Sequence, residues 1–412
     1  MKKNFYACMA FLVLLATALA CASPLGNGGG QPSSSDQVAT MVASTLQALT
    51  PISTGGETPV APTGLLPHTM YFVNNDNAGL AQVFRLEADG KTVKQLTFEP
   101  SAVGPYDVSM ANGSVVYIAG NQLLLINADG SDRRVLVDGG PVDPNNQFVD
   151  SISSPVFSPD GQTIAYSDKG LVMYAVSTGV SNRVLENQGV DQITGAATPR
   201  ELYIPEKYSP DGTKLLLTIA IPNSDGISAG IYFPAANSLI RIIDVSGALI
   251  CCGNPQWTLD GSALYMGSST VGMFGSGLWR VDASNGTVKT LLPTDAGGGN
   301  FNLANKPFLA PDGQLYFFYV TAPIGSDGMI QRAPLQLVRS APDGVTGRTV
   351  LRPETFQMLN EALWAPDASF VIVAYAPIAD VYQGGLLELY YTSGQKDMIS
   401  LLPYGQRLKW GP

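Results

Sequence analysis

Histidine occurs once in this 412-residue chain, at His68, so neither a His-rich metal site nor a His pair can be assembled. Charge is also scarce, at 14% of residues, and the 33 acidic side chains outnumber the 23 basic ones. A net charge of −10 argues against a surface built to bind nucleic acid. Beyond the first twenty residues no apolar run approaches the length of a membrane span, so the body is expected to be soluble. What the chain does have is 44 glycines and 29 prolines beside a 45% hydrophobic content. The hydrophobic content excludes disorder for most of the chain, and the evenly spread breakers disfavour long helices. Many short strands joined by tight turns remain.

The N-terminus reads as an address. Lys2 and Lys3 precede an uncharged stretch from Phe5 to Ala20, the length of a signal-peptide core. It ends Ala18-Leu19-Ala20-Cys21, which resembles a bacterial lipobox, with Ala18 where Leu is commoner. That resemblance implies cleavage after residue 20 and lipid attachment at Cys21. The alternative is ordinary cleavage, leaving a secreted or periplasmic soluble chain. Residues 22–35 have a flexible-linker composition, and Asp36 can cap a short helix that Pro51 stops. The expected organisation is a signal peptide over 1–20, a lipid-anchored stalk over 21–64 and one repeat domain over 65–412.

A turn recurs through that domain. Pro159-Asp160-Gly161, Pro210-Asp211-Gly212 and Pro311-Asp312-Gly313 have weaker copies at Ala111-Asn112-Gly113, Leu259-Asp260-Gly261 and Pro366-Asp367-Ala368. The spacings of 48, 51, 49, 52 and 55 residues define a repeat array. Pro342-Asp343-Gly344 falls off the main period. In each turn Pro fixes one φ, Asp bonds nearby backbone and Gly takes a positive φ. A β-run follows each marker, such as Thr163 to Tyr166, and a second hairpin follows that, turning at Asp89-Gly90, Asp129-Gly130 or Asn285-Gly286. One unit is therefore four antiparallel strands, a propeller blade. The first unit lacks an inner strand, while Leu408-Lys409-Trp410-Gly411-Pro412 mirrors Leu363-Trp364-Ala365-Pro366. The C-terminus is thus expected to complete the first blade and close a seven-bladed ring, with six blades as the alternative.

The decamer Phe157-Ser158-Pro159-Asp160-Gly161-Gln162-Thr163-Ile164-Ala165-Tyr166 and its copy from Tyr208 closely resemble the WD-repeat-like units of the TolB family, and Gln95-Leu96-Thr97 matches how those units end. The resemblance covers residues 65–412 and implies an all-β propeller. It is weak for function, because the family includes envelope binding proteins, peptidase propeller domains and some polysaccharide lyases. The chain departs from sialidase Asp-boxes and lacks the Gly-His and Trp-Asp pairs of eukaryotic scaffolding propellers.

Chemistry is hard to place. Gly226-Ile227-Ser228-Ala229-Gly230 fits a nucleophile-elbow pattern, but it lies between two strands of one blade and no histidine follows it. His68 reads as a structural residue. Cys251 and Cys252 form either a strained vicinal disulfide or two small buried thiols. No cofactor is expected; calcium is the alternative, at Asn75-Asp76-Asn77, Ser224-Asp225-Gly226, Ser326-Asp327-Gly328 and Asp380, which all fall in loops of one face. Long connections gather on that face, where function is expected. Aligning the inner strands by their turns places Tyr106, Ser154, Pro205, Asn254, Lys306, Glu361 and Arg407 at equivalent funnel positions, with Asp107, Glu206, Asn305 and Asn360 beside them. Such a mouth suits a protein or peptide of the cell envelope. The expected function is a monomeric, non-catalytic binding module touching the membrane only through its anchor. A carbohydrate-active enzyme, hydrolase or lyase, using funnel carboxylates is the alternative.

Overall fold

Hydrogen bonding of the short β-runs sorts them into four-stranded antiparallel sheets. The computed structural model describes residues 64–142, 151–187, 201–221, 227–242, 255–270, 275–323 and 332–412. The Cys21 anchor, the stalk, Asn254, Cys251 and Cys252 lie outside them, as do the candidate calcium loops at 224–226 and 326–328. The only helical element among the described residues is the 3-10 turn Pro234–Ala236.

Blade 2 runs from Tyr106–Val108 to Arg134–Asp138, blade 3 from Ser153–Phe157 to Val180–Glu186, and blade 4 from Leu202–Tyr208 to Ser238–Ile242. Blade 5 runs from Gln256–Trp257 to Val288–Leu292 and blade 6 from Asn300–Leu309 to Thr349–Phe356, with the small strand Asp295–Gly297 added to its inner edge. Blade 7 starts at Leu359–Trp364 and shares its last strand with blade 1. That strand, Ile399–Trp410, first pairs as the outer strand of blade 7, with Leu389 opposite Ile399. It then continues as the inner strand of blade 1, setting Trp410 opposite Met70 and Lys409 opposite Tyr71. The C-terminal closure inferred from the Leu-Lys-Trp-Gly echo is therefore present, and the ring has seven blades rather than six.

The core repeats the same count. Seven hydrophobic clusters fill the seven interfaces between neighbouring blades. Phe318 and Phe356 of blade 6 meet Trp364 and Tyr390 of blade 7, for example, and Ile372 and Leu389 of blade 7 meet Phe72 and Leu86 of blade 1. Strand residues buried on both faces explain why so few charges could be accommodated.

The recurring turn owes its repetition to a local hydrogen-bond set. In blade 3 the Ser158 hydroxyl donates to Asp160 and accepts from the Thr163 amide, while the Ser158 carbonyl accepts from Gly161 N. Ser209 with Asp211, and Thr258 with Asp260, repeat it. Gly161 has φ of 69°, which glycine adopts without steric cost. Pro342-Asp343-Gly344 is off the period because it joins the outer strands Leu335–Ser340 and Thr349–Phe356 of blade 6.

Candidate functional site in the central channel

The inner strands line the ring's axis, and those of blades 1, 3, 4, 6 and 7 carry a register irregularity. Register shifts occur between Ser153 and Val156, Pro205 and Lys207, Asn305 and Phe308, and Leu359 and Glu361. Ser154, Lys306 and Arg407, which the alignment places at equivalent positions, all adopt a left-handed backbone, with φ of 51°, 52° and 56°. Non-glycine residues rarely sit there, and a bulge re-aims both side chain and carbonyl. Two of the turned carbonyls are captured by the next blade: Tyr106 Oη donates to Arg407 O at 2.6 Å, and Trp364 Nε1 donates to Lys306 O at 3.0 Å. Trp257 Nε1 donates likewise to Lys207 O, and Trp410 Nε1 to Trp364 O.

Several of the predicted rim residues thus act as clasps between blades. Glu361 Oε1 accepts from the amides of Arg407 at 2.8 Å and Gly384 at 3.3 Å, and Oε2 accepts from Leu408 N at 3.0 Å. Asp107 Oδ2 accepts from Phe157 N at 2.7 Å, while Oδ1 pairs with Lys409 Nζ at 2.6 Å. Arg407 Nη1 donates to Gly104 O, and Asn305 Nδ2 donates to Ser269 Oγ. Asn360 donates to Gly384 O and accepts from Arg332, whose other nitrogen donates to the carbonyls of Ala379 and Val381. Arg332 also lies over the Tyr382 ring, 4.9 Å from its centroid. These contacts hold the 376–384 loop against the channel mouth and leave Ile378 and Tyr382 exposed, at 58% and 69%.

Seven charged side chains stand on the described inner strands: Asp107, Glu206, Lys207, Lys306, Glu361, Arg407 and Lys409. Four are cations, in a protein that is strongly acidic as a whole. Burial lowers Lys306 to about 8, against the opposing pull of Glu361. The Lys207 side chain is exposed yet closely surrounded by protein. That crowding and the neighbouring Lys409 bring it to about 8, with Asp107 opposing. Its Nζ donates to Gln256 Oε1. Glu206 is exposed, yet crowding by the surrounding protein raises its carboxyl, with Thr218 Oγ1, its hydrogen-bond donor, and Lys409 opposing. Burial, then Glu361 and Asp107, raise the Tyr106 phenol. Lys207, Lys409 and Arg332 were absent from the sequence-based set. A bulge counts two residues against one, so alignment from the turn selects Glu206 and passes over its neighbour. Nothing in the sequence marks Arg332, which precedes its strand in a loop.

Elsewhere the chemistry resolves into structure. Residues 227–230 of the Gly-x-Ser-x-Gly segment lie within the strand Ile227–Phe233, not at a strand-to-helix turn. His68 packs beside Trp410, with ring centroids 6.4 Å apart. Asp76 Oδ1 accepts from the amides of Ala78 and Leu80, a turn-capping role. Among the described residues no three His, Cys, Asp or Glu side chains cluster as metal ligands. A concavity of about 480 Å³ opens away from the channel, between blades 3 and 4 on the turn face. It includes Asp160 and Asp211, whose carboxylates are already bonded to the hydroxyls of Ser158 and Ser209.

The strand order, the closing strand and the seven interfaces decide the architecture. The chain is a seven-bladed β-propeller. No protein-family profile matches its sequence, and no curated protein matches it either. Solved structures do. An oligogalacturonate lyase in complex with manganese is 11% identical, with a TM-score of 0.52, over 82% of this chain and 86% of that one. A prolyl endopeptidase is 13% identical, with a TM-score of 0.52, over 92% of this chain and 56% of that one, so the propeller spans little more than half of its length. TolB from Acinetobacter baumannii is 17% identical, with a TM-score of 0.43, over 93% of this chain and 74% of that one. At these identities the likeness is one of fold. The blades expected from the TolB-type repeat are the blades of the structure. No helix among the described residues is long and apolar enough to cross a membrane.

Proposed function

We propose that this propeller is a non-catalytic binding module of the cell envelope, anchored through Cys21, that recognises a protein or peptide ligand at the long-loop mouth of its channel. The observation that carries the reading is the commitment of the channel carboxylates. Glu361 and Asp107 are bonded to backbone amides of neighbouring strands, which holds them to ring closure rather than to acid-base work. What the mouth offers a ligand is a fixed loop with exposed Ile378 and Tyr382 above a mixed-charge channel, the composition of a protein-recognition surface.

Cross-linking the tethered protein in its native envelope and identifying the captured chain tests this reading. A protein partner is expected. A glycan array that binds the propeller while no protein is captured would instead favour the carbohydrate-active alternative, with Glu206 as its acid.

A further inference from the structure

We propose that the central channel is a carboxylate-binding site in which the ammonium of Lys306 receives an acidic group of a peptide ligand. This deepens the peptide-binding reading of the mouth and rests on it.

The charge inventory points there first. Lys409 and Asp107 satisfy one another, Glu361 is held by backbone amides, and Arg407 donates to Gly104 O. Glu206 accepts from Thr218, and Lys207 holds only the neutral amide oxygen of Gln256. Lys306 is left. It is 8% exposed, and no hydrogen bond or ion pair reaches its Nζ among the described residues. Glu361 is its nearest source of opposite charge, and that carboxylate is occupied by three amides.

An unpartnered buried ammonium costs folding stability, and a methionine of similar length would fill the same space without that cost. The backbone adds to the cost, since Lys306 takes a φ of 52° at a bulge. Asn305 Oδ1 accepts from the Lys306 amide at 2.9 Å and fixes that bulge. Local rules broken at one residue, with no return inside the fold, are the pattern of a binding site. The stored loss is recovered when a ligand supplies the missing counter-charge.

The chemistry of that ligand follows from the donor. An ammonium offers three N–H groups and no acceptor, so it selects an anion. A peptide rather than an acidic sugar is favoured by the rim. Ile378 offers an aliphatic contact that a polyhydroxylated chain would not use, and its loop is tied to Glu361 through Gly384.

The test uses the full chain, fluorescein-labelled hexaglutamate and fluorescein-labelled hexaglutamine in anisotropy titrations. Hexaglutamate is expected to bind and hexaglutamine not. Lys306→Met should weaken hexaglutamate about ten- to hundredfold, the span of one lost charge-assisted hydrogen bond. The unfolding midpoint of Lys306→Met should equal or exceed that of the wild type, a sign opposite to its effect on binding. Equal affinity of wild type and Lys306→Met would overturn the proposal, as would equal binding of the two peptides. So would trigalacturonate binding in place of hexaglutamate. Should Lys306→Met fail to fold, NMR of the reductively ¹³C-methylated wild type decides: the Lys306 signal must move on adding hexaglutamate, and an unmoved signal overturns the assignment. The two readings fail separately. Envelope capture undiminished by Lys306→Met would remove this site and leave the binding module, whereas hexaglutamate binding without any captured protein would leave the site and remove the module.

Discussion

Replacing Glu361 by glutamine should open the ring at its seam. The carboxylate receives three amides, and two of them, Arg407 N and Leu408 N, belong to the closing strand. An amide side chain keeps one acceptor oxygen and turns an N–H₂ toward at least one backbone donor. Hydrogen bonds to a charged group contribute about 1.5–3 kcal/mol net, and water in the channel offsets part of the loss at a half-buried site. The expected cost is about 1–3 kcal/mol for Glu361→Gln and somewhat more for Glu361→Ala. Hydrogen exchange read by mass spectrometry on the peptide spanning 404–412 is the direct assay, because each 1.4 kcal/mol of local opening is about tenfold in rate. Guanidinium unfolding followed by tryptophan fluorescence gives the global value, with Trp364 and Trp410 at the seam. Glu388→Gln is the control: it sits on the third strand of blade 7 and accepts, among the described residues, from Tyr390 Oη. Exchange of the 404–412 peptide at the wild-type rate in Glu361→Gln would refute the clasp.

Deleting residues 404–412 removes the whole inner strand of blade 1, so circular dichroism should show loss of the cooperative transition, and a wild-type midpoint would contradict closure by that strand. Glu99, buried between Arg133 and Tyr117, is held below its ordinary range chiefly by the Arg133 guanidinium. A depressed carboxyl stabilises fully above its unfolded value of 4.5 and loses that contribution as pH falls through the lower folded value. Glu99→Gln should therefore cost about 1–3 kcal/mol at neutral pH, with the gap to wild type closing on acidification; a pH-independent gap in denaturant titrations would contradict this. Cys21→Ala should release the protein from the membrane fraction, and retention would refute the lipid anchor.

The fold was legible because its punctuation is local. An Asp bonded to its own turn and a glycine at positive φ need no tertiary context, so Pro159-Asp160-Gly161 and its copies announce blades from the sequence. Closure was legible for the same reason: Leu408-Lys409-Trp410-Gly411 echoes Val156-Phe157-Ser158-Pro159 and Leu363-Trp364-Ala365-Pro366, which precede turns. The site was legible only in outline. Alignment by turns found Ser154, Lys306 and Arg407, whose shared left-handed backbone marks them as equivalent. It could not foresee that Glu361 and Asp107 would grip amides 46 to 50 residues away, since those partners exist only once neighbouring blades pack. Nor could it separate Lys306, without an Nζ partner among the described residues, from Lys409, paired with Asp107, because identical side chains differ here only in what faces them.

Where the ligand sits is the decisive question. A photo-cross-linking amino acid placed singly at Ser154 and Tyr382 on the long-loop face, and at Asp160 and Asp312 on the turn face, answers it in the native envelope. Adducts to one and the same protein are expected from Ser154 and Tyr382, and none from the two turn positions. Adducts from Asp160 and Asp312 alone, or from no position, would contradict binding at the long-loop mouth.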